Sequence, residues 1–239
     1  HWLTDTRLPV HQIATLSGFA SVRRFNAVFS EHYQLNPSAL RRNAGPAKVH
    51  APHPGFRLKL AYRPPYNVAA MVQFFATRQI TGLEHASTSD DGPRLARTLA
   101  IHLGDTVHCG WIQATFDPAQ CRIELQVSDA LHPVLPQVMA RVRAWLDVDA
   151  DPQAINACLL TPFPDTDGLR VPGTVDGFEL AVRAILGQQV TVAAACTLST
   201  RLVARFGVPL VTPFATLTHL FPSASALAIA TGDALGGLG

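Results

Sequence analysis

LRVPGTVDGFELAVRAILGQQVTVAAACTLSTRLVARFG, residues 169–207, reads as two helices meeting at a tight turn. Thr174 is placed to cap the first helix, because a hydroxyl there accepts a bond from a free backbone N–H. Val175, Phe178, Val182 and Ile185 recur at helical spacing and predict one apolar face. Gly187 suits the left-handed position that ends a helix. Thr191 can cap a second helix, which runs through Ala195, Leu198 and Leu202 toward Gly207. Between the helices stand Gln188 and Gln189, two long amides on an otherwise apolar hairpin. On spacing alone the pair fits an exposed polar loop.

Upstream of this hairpin the periodicity changes. FRLKLAY, residues 56–62, alternates like a half-buried strand, and PPYN then turns the chain. Val68, Met71, Val72 and Phe75 form one helix face. RTLAIHL (97–103), HCGWIQATF (108–116) and CRIELQV (121–127) are three strand-like runs separated by Gly, Asp or Pro breaks. VMARVRAWL, residues 138–146, opens a helical remainder. Strand, helix, then strands in series predict an α+β domain with an antiparallel sheet.

Residues 8–31, LPVHQIATLSGFASVRRFNAVFSE, divide into a short support helix, a turn and a second helix. Pro9 suits a first helical turn, Ile13 and Leu16 give a buried side, and Ser17 and Gly18 break it. Phe19 can pack under the turn, and Ser21 can cap the second helix, with Val22, Phe25 and Phe29 inside. Arg23, Arg24, Ala27 and Ser30 then fall on the outward face. This is the plan of a helix-turn-helix that offers cations to a major groove, although a generic helical hairpin has the same apolar period. NAGPAKVHAPHPG, residues 43–55, reads as a linker.

Charge in the first segment fits either a polyanionic partner or an ordinary solvated surface. The chain of 239 residues carries a net +2. Residues 1–48 hold Arg7, Arg23, Arg24, Arg41, Arg42 and Lys48 against Asp5 and Glu31, and the remainder is net acidic. Cys109, Cys121, Cys158 and Cys196 are widely spaced with no metal pattern, and read as small buried thiols of a reducing cytosol. No run approaches bilayer length, and HWLTDTRLPV is not a signal peptide. The missing initiator Met and the closing DALGGLG read as cuts at both ends of a longer protein.

The landmarks PG, then D and FE, then VRAILGQQV, RL and FG resemble the start of the glycosylase domain of the DNA-3-methyladenine glycosylase II (AlkA-like) family, in the helix-hairpin-helix superfamily. RPPYNVAAMVQFFATR, RTLAIHL and IELQVSD extend the resemblance across most of residues 56–239. It implies that Gln188 lies near a flipped base and that Gln189 is the wedge entering the vacated stack, where the best-known member has an apolar residue. It also implies that Phe74 sits beside the base pocket, where simple core packing is the other reading. The family's catalytic aspartate follows a G-x-G hairpin and is expected beyond Gly239, since Asp176 and Asp233 stand at the wrong positions to replace it.

IA–SGF–SVRRFN–F with NPSALRR resembles the second helix-turn-helix of AraC-type regulators. Together the two resemblances imply a regulator–glycosylase fusion of the adaptive alkylation response, of the kind that often begins with an Ada-type zinc domain. The expected units are an AraC-type helix-turn-helix (1–43), a linker (44–55), an AlkA N-terminal-like α+β domain (56–150) and part of an all-α helix-hairpin-helix glycosylase domain (151–239). The implied activity is excision of alkylated bases coupled to transcription regulation, on double-stranded DNA at promoter sites and at alkylated DNA. No cofactor, metal or membrane is expected, and the location is the bacterial cytoplasm at the nucleoid. The alternative is a regulator whose glycosylase-like half only binds damaged or bent DNA. As it stands the chain is expected to be inactive alone.

Overall fold

The computed structural model describes residues 10, 11, 14, 19, 21–33, 55–89 and 92–238. Pro9, Ile13, Leu16, Ser17, Gly18, the NPSALRR stretch and all of the expected linker except Gly55 lie outside them. Helix α1 spans Val22–Tyr33. Ser21 stands as its cap, with its Oγ accepting from Arg24 N at 3.2 Å. Phe25 is buried and meets Phe19 edge-on at 5.4 Å and Phe29 at 5.7 Å, so the apolar side of α1 is the expected one. Arg23, Arg24 and Ala27 are exposed, and Ser30 is half-buried.

The middle of the chain forms a five-stranded antiparallel sheet in the order β1-β5-β4-β3-β2. Its strands are β1 (Phe56–Ala61), β2 (Glu84–Ser89), β3 (Gly92–Leu103), β4 (Thr106–Asp117) and β5 (Arg122–Val127). The register aligns Leu58, Leu125 and Ala114 in one row and Leu60, Ile123 and Phe116 in the next. All six are buried, while Lys59 opposite Glu124 faces the other side. Helix α2 (Val68–Ala76) buries Val68, Met71, Val72 and Phe75. Helix α3 (Leu135–Trp145) buries Val138, Met139, Val142 and Trp145 in the same core. Each such side chain contributes roughly 1.5–3 kcal/mol on leaving water. Strand β2 has no counterpart in the sequence reading, because its inward residues include a carboxylate, Glu84, which breaks the apolar alternation.

A buried cation ties this unit to the following chain. Arg170 donates to the carbonyls of Arg63 and Pro65 at 2.5 and 3.1 Å and to those of Asp147 and Ala150 at 3.4 and 3.2 Å. Its guanidinium also lies 4.8 Å over the Tyr66 ring. Three residues on, Gly173 passes so close to α3 that a Cβ would lie 2.2 Å from the Ala144 carbonyl oxygen. That contact explains the glycine of the PG landmark.

Helices α4 (Pro152–Leu159), α5 (Gly177–Leu186) and α6 (Val192–Phe206) follow, then the short strands β6 (Val208–Pro209) and β7 (His219–Leu220). The single turns α7 (Ala224–Ala228) and α8 (Gly232–Gly236) complete the described chain. Thr191 caps α6 as expected, accepting from Ala194 N at 3.2 Å, and Gly207 ends it.

Three details of the hairpin differ from the sequence reading. Asp176, not Thr174, caps α5, accepting from Glu179 N at 2.8 Å, while Thr174 Oγ1 only braces Asp176. Gly187 keeps a right-handed backbone at φ −85°, and Gln189 takes the left-handed one at φ 59°. Val175 is buried, but Phe178 and Ile185 are 38 % and 68 % exposed, and the buried residue within α5 is Glu179. The inner face of α5 meets a charged cluster rather than an apolar sheet face.

The cysteines also depart from expectation. Cys158 is exposed and Cys109, Cys121 and Cys196 are half-buried, and all are free thiols. Burial raises the pKa of the Cys109 thiol.

Asp176→Ala is expected to lower the free energy of unfolding by about 1 kcal/mol, the usual worth of an N-cap. Urea unfolding of the two proteins checks it, and Thr174→Ala should cost less.

Candidate functional site

Between the sheet unit and the α5–α6 hairpin lies a cavity of about 300 Å³. One wall comes from α2 and the turn after it, with Phe74, Phe75 and Arg78. The opposite wall is the hairpin, with Ala184, Gly187, Val190, Val192, Ala195 and Cys196. Trp145 lies at the base, and its indole N–H is buried without a hydrogen-bond partner. Gly187 and Val190 flank Gln188 and Gln189 in sequence, and both glutamine side chains are exposed. The structure thus brings Phe74 and the two residues that flank the glutamines to one cavity, whose lining includes neither glutamine. Arg23 and Arg24 belong to α1, outside this site.

Phe74 is half-buried, and its ring meets that of Phe75 edge-on at 5.4 Å. The Arg78 guanidinium lies 4.1 Å over the Phe74 ring and donates to the Phe74 carbonyl at 3.3 Å. The helical i, i+4 spacing makes both contacts possible. A planar apolar guest can stack on the aromatic surfaces of such a cavity.

The cavity lining also contains a square of charges that the sequence reading did not find. Glu84 of β2 and Arg97 of β3 are cross-strand partners, and Glu179 and Arg183 are one turn apart on α5. Arg97 Nη2 donates to Glu179 at 2.6 Å, and its Nη1 lies 3.4 Å from Glu84. Arg183 Nη1 donates to Glu84 at 2.8 Å and to Glu179 at 3.0 Å. Arg183 Nη2 donates to the Arg78 carbonyl at 2.5 Å, and Ile80 N donates to Glu84 at 3.2 Å. Burial alone would pull the Arg183 guanidinium down, but the adjacent Glu84 and Glu179 more than reverse this and hold its pKa above the ordinary value. The one visible signal in the sequence is Glu179 and Arg183 at i, i+4 within an apolar run. Glu84 and Arg97 give none, because their strand register is not readable from spacing.

Both carboxylates lining the cavity are therefore neutralised by paired guanidiniums. Neither is free to stabilise a developing cation. Among the described residues no cluster of His, Cys, Asp or Glu could hold a metal, and no helix is long and apolar enough to cross a membrane.

The architecture is that of solved DNA glycosylases. It matches the 3-methyladenine DNA-glycosylase of Archaeoglobus fulgidus with a TM-score of 0.55 at 18 % identity, over 77 % of this chain and 61 % of that one. It matches MBOgg1, solved with a low-affinity DNA ligand, at 0.52 and 14 % identity, over 80 % and 60 % of the two chains. Identities this low speak to the fold alone.

Sequence then narrows the class. The family model of the AlkA N-terminal domain matches residues 57–176, and the chain belongs to that family. Over 235 residues it is 35 % identical to the "Probable bifunctional transcriptional activator/DNA repair enzyme AlkA" of Mycobacterium tuberculosis, covering 95 % of this chain and 45 % of the relative. It is also 35 % identical over 148 residues to DNA-3-methyladenine glycosylase 2 of Escherichia coli, covering 62 % and 50 %. The chain spans about half the length of the curated relatives it matches.

Proposed function

We propose that the chain carries the base-recognition part of an alkyl-base DNA glycosylase joined to an AraC-type DNA-binding helix-turn-helix. The observation that carries this reading is the 300 Å³ cavity between Phe74 and the glutamine hairpin. A flipped purine is planar and largely apolar on its faces, and a cavity of this size with aromatic lining suits it. Gln188 faces the extruded base. Gln189 enters the stack that the base has left. The divisions at residues 43, 55 and 150 belong to the same reading.

The chemistry needs no strong protein nucleophile. Alkylation makes the purine a good leaving group, and the enzyme must stabilise an oxocarbenium-like sugar as the bond breaks. Glu84 and Glu179 cannot serve, because Arg97 and Arg183 hold both. The stabilising carboxylate is a residue other than these two. The same neutralisation is what favours the second reading, a glycosylase-like unit that binds damaged DNA without cutting it.

The test is base release from alkylated DNA by the protein at the length of its curated relatives. The reading expects release of alkylated purines, reduced by Phe74→Ala. Tight damage-selective binding without release would leave the binding reading.

The first segment supplies a second, sequence-directed contact through Arg23, Arg24, Ala27 and Ser30, aimed at promoter DNA. Arg23→Ala with Arg24→Ala is expected to weaken duplex binding and flatten its salt dependence, since each lost phosphate contact releases about one counterion fewer. If one of the two reads a base edge, sequence preference relaxes by roughly 1–3 kcal/mol. A titration across salt concentrations checks both effects, and an unchanged slope would remove this assignment.

A further inference from the structure

We propose that Arg183 is a positioning residue: with Glu84, Arg97 and Glu179 it forms a clamp that sets the gap between the two walls of the cavity, Phe74 on one side and the glutamine hairpin on the other. The proposal deepens the glycosylase reading and rests on it for what the cavity holds.

The path between the walls is continuous in hydrogen bonds. Gly187 N, where the turn begins, donates to the Arg183 carbonyl at 3.0 Å. The Arg183 side chain crosses to the Arg78 carbonyl at 2.5 Å, at the end of the helix that carries Phe74. The Arg78 side chain returns over the Phe74 ring at 4.1 Å. Glu84 and Glu179 each accept from both Arg97 and Arg183, so a shift of α5 along the sheet breaks several directional bonds together.

An apolar interface of the same area would resist separation but permit sliding. Two acids against two bases leave the square neutral, so it exerts little net field on a guest. What it adds is register, the best-attested use of buried ion pairs.

Cys196 gives a readout that does not depend on DNA. It lines the cavity, is half-buried, and lies with its Sγ 3.7 Å from the Thr77 carbonyl. Cys158, exposed on α4, serves as an internal control. The chain is treated with iodoacetamide, and labelling at each cysteine is followed by peptide mass spectrometry. Arg183→Lys keeps the charge, but one ammonium cannot reproduce the planar fork that reaches two carboxylates and the Arg78 carbonyl. The expected result, under conditions where both proteins are fully folded, is a several-fold change in Cys196 labelling with Cys158 labelling nearly unchanged. A purely structural role would instead speed labelling at every cysteine together.

Should Arg183→Lys fail to fold, the fourfold variant Glu84→Met, Arg97→Met, Glu179→Leu, Arg183→Met carries the same test, since it leaves no buried ion unpaired. Cys196 labelling unchanged in the folded variants overturns the clamp. Titration of the protein at the length of its curated relatives with abasic-analogue and undamaged duplexes separates the two claims. No preference there overturns the base-pocket reading, while the Cys196 result still decides the clamp.

Discussion

Arg97→Met is expected to lower the free energy of unfolding by about 3–5 kcal/mol, because removing one partner of a buried ion cluster strands the others. Arg97 is 3 % exposed and stands between Glu84 and Glu179, themselves 7 % and 3 % exposed. Without it, two buried carboxylates share the single guanidinium of Arg183. Methionine fills similar volume, so the loss reports charge rather than a cavity. The contrast is Arg122→Met, whose partners Asp117 and Glu124 are partly solvated. There the expected loss is within about 1 kcal/mol. Urea unfolding of both variants checks the pair. Equal small losses would mean that water reaches the square and that it holds nothing in register.

The second large effect concerns the turn. Flipping a nucleotide costs a few kcal/mol of lost stacking and pairing, and a side chain that fills the hole recovers part of it. Gln189→Ala should therefore weaken binding to an abasic-analogue duplex much more than binding to intact duplex. Gln189→Leu should retain or improve it, since an apolar wedge leaves no amide to satisfy. In the protein at the length of its curated relatives, Gln188→Ala should instead change which bases are released, with little effect on abasic affinity. Gln189 holds a left-handed backbone at φ 59° on an exposed turn, a conformation costing of order 1–3 kcal/mol for a non-glycine residue. Gln189→Gly is then expected to raise stability slightly while losing the abasic preference. Equal losses on both duplexes for Gln189→Ala would reduce the turn to a polar connection.

The parts legible in the sequence are those governed by periodicity. FRLKLAY gave its strand and its buried Leu58 and Leu60, and Val68, Met71, Val72 and Phe75 gave the face of α2, because one side of each element meets a single apolar core. The glutamine turn was legible because two amides interrupt an apolar hairpin. The hairpin's finer details were not. Thr174 and Asp176 are both good caps two residues apart, and only the backbone path decides between them. Gly187 is the residue with the freedom to turn left-handed, yet the turn occurs at Gln189, so local preference yielded to tertiary placement. The charge square joins residues nearly 100 positions apart, Glu84 and Arg183 among them, and no local pattern records such a pairing. Its absence from the reading also misplaced the inner face of α5, where Glu179 is buried and Phe178 and Ile185 are not.

The central claim is that an extruded purine occupies the cavity between Phe74 and Gly187. The most direct test is a crystal structure of the protein, at the length of its curated relatives, on a duplex carrying an alkylated purine on a 2′-fluorinated sugar. The fluorine disfavours the cationic sugar and so keeps the base attached. The predicted result is the purine stacked on Phe74 in the cavity, with the Gln189 side chain in the vacated position of the duplex. A purine that remains stacked in the helix, or one that leaves it for a site away from Phe74, would contradict the account.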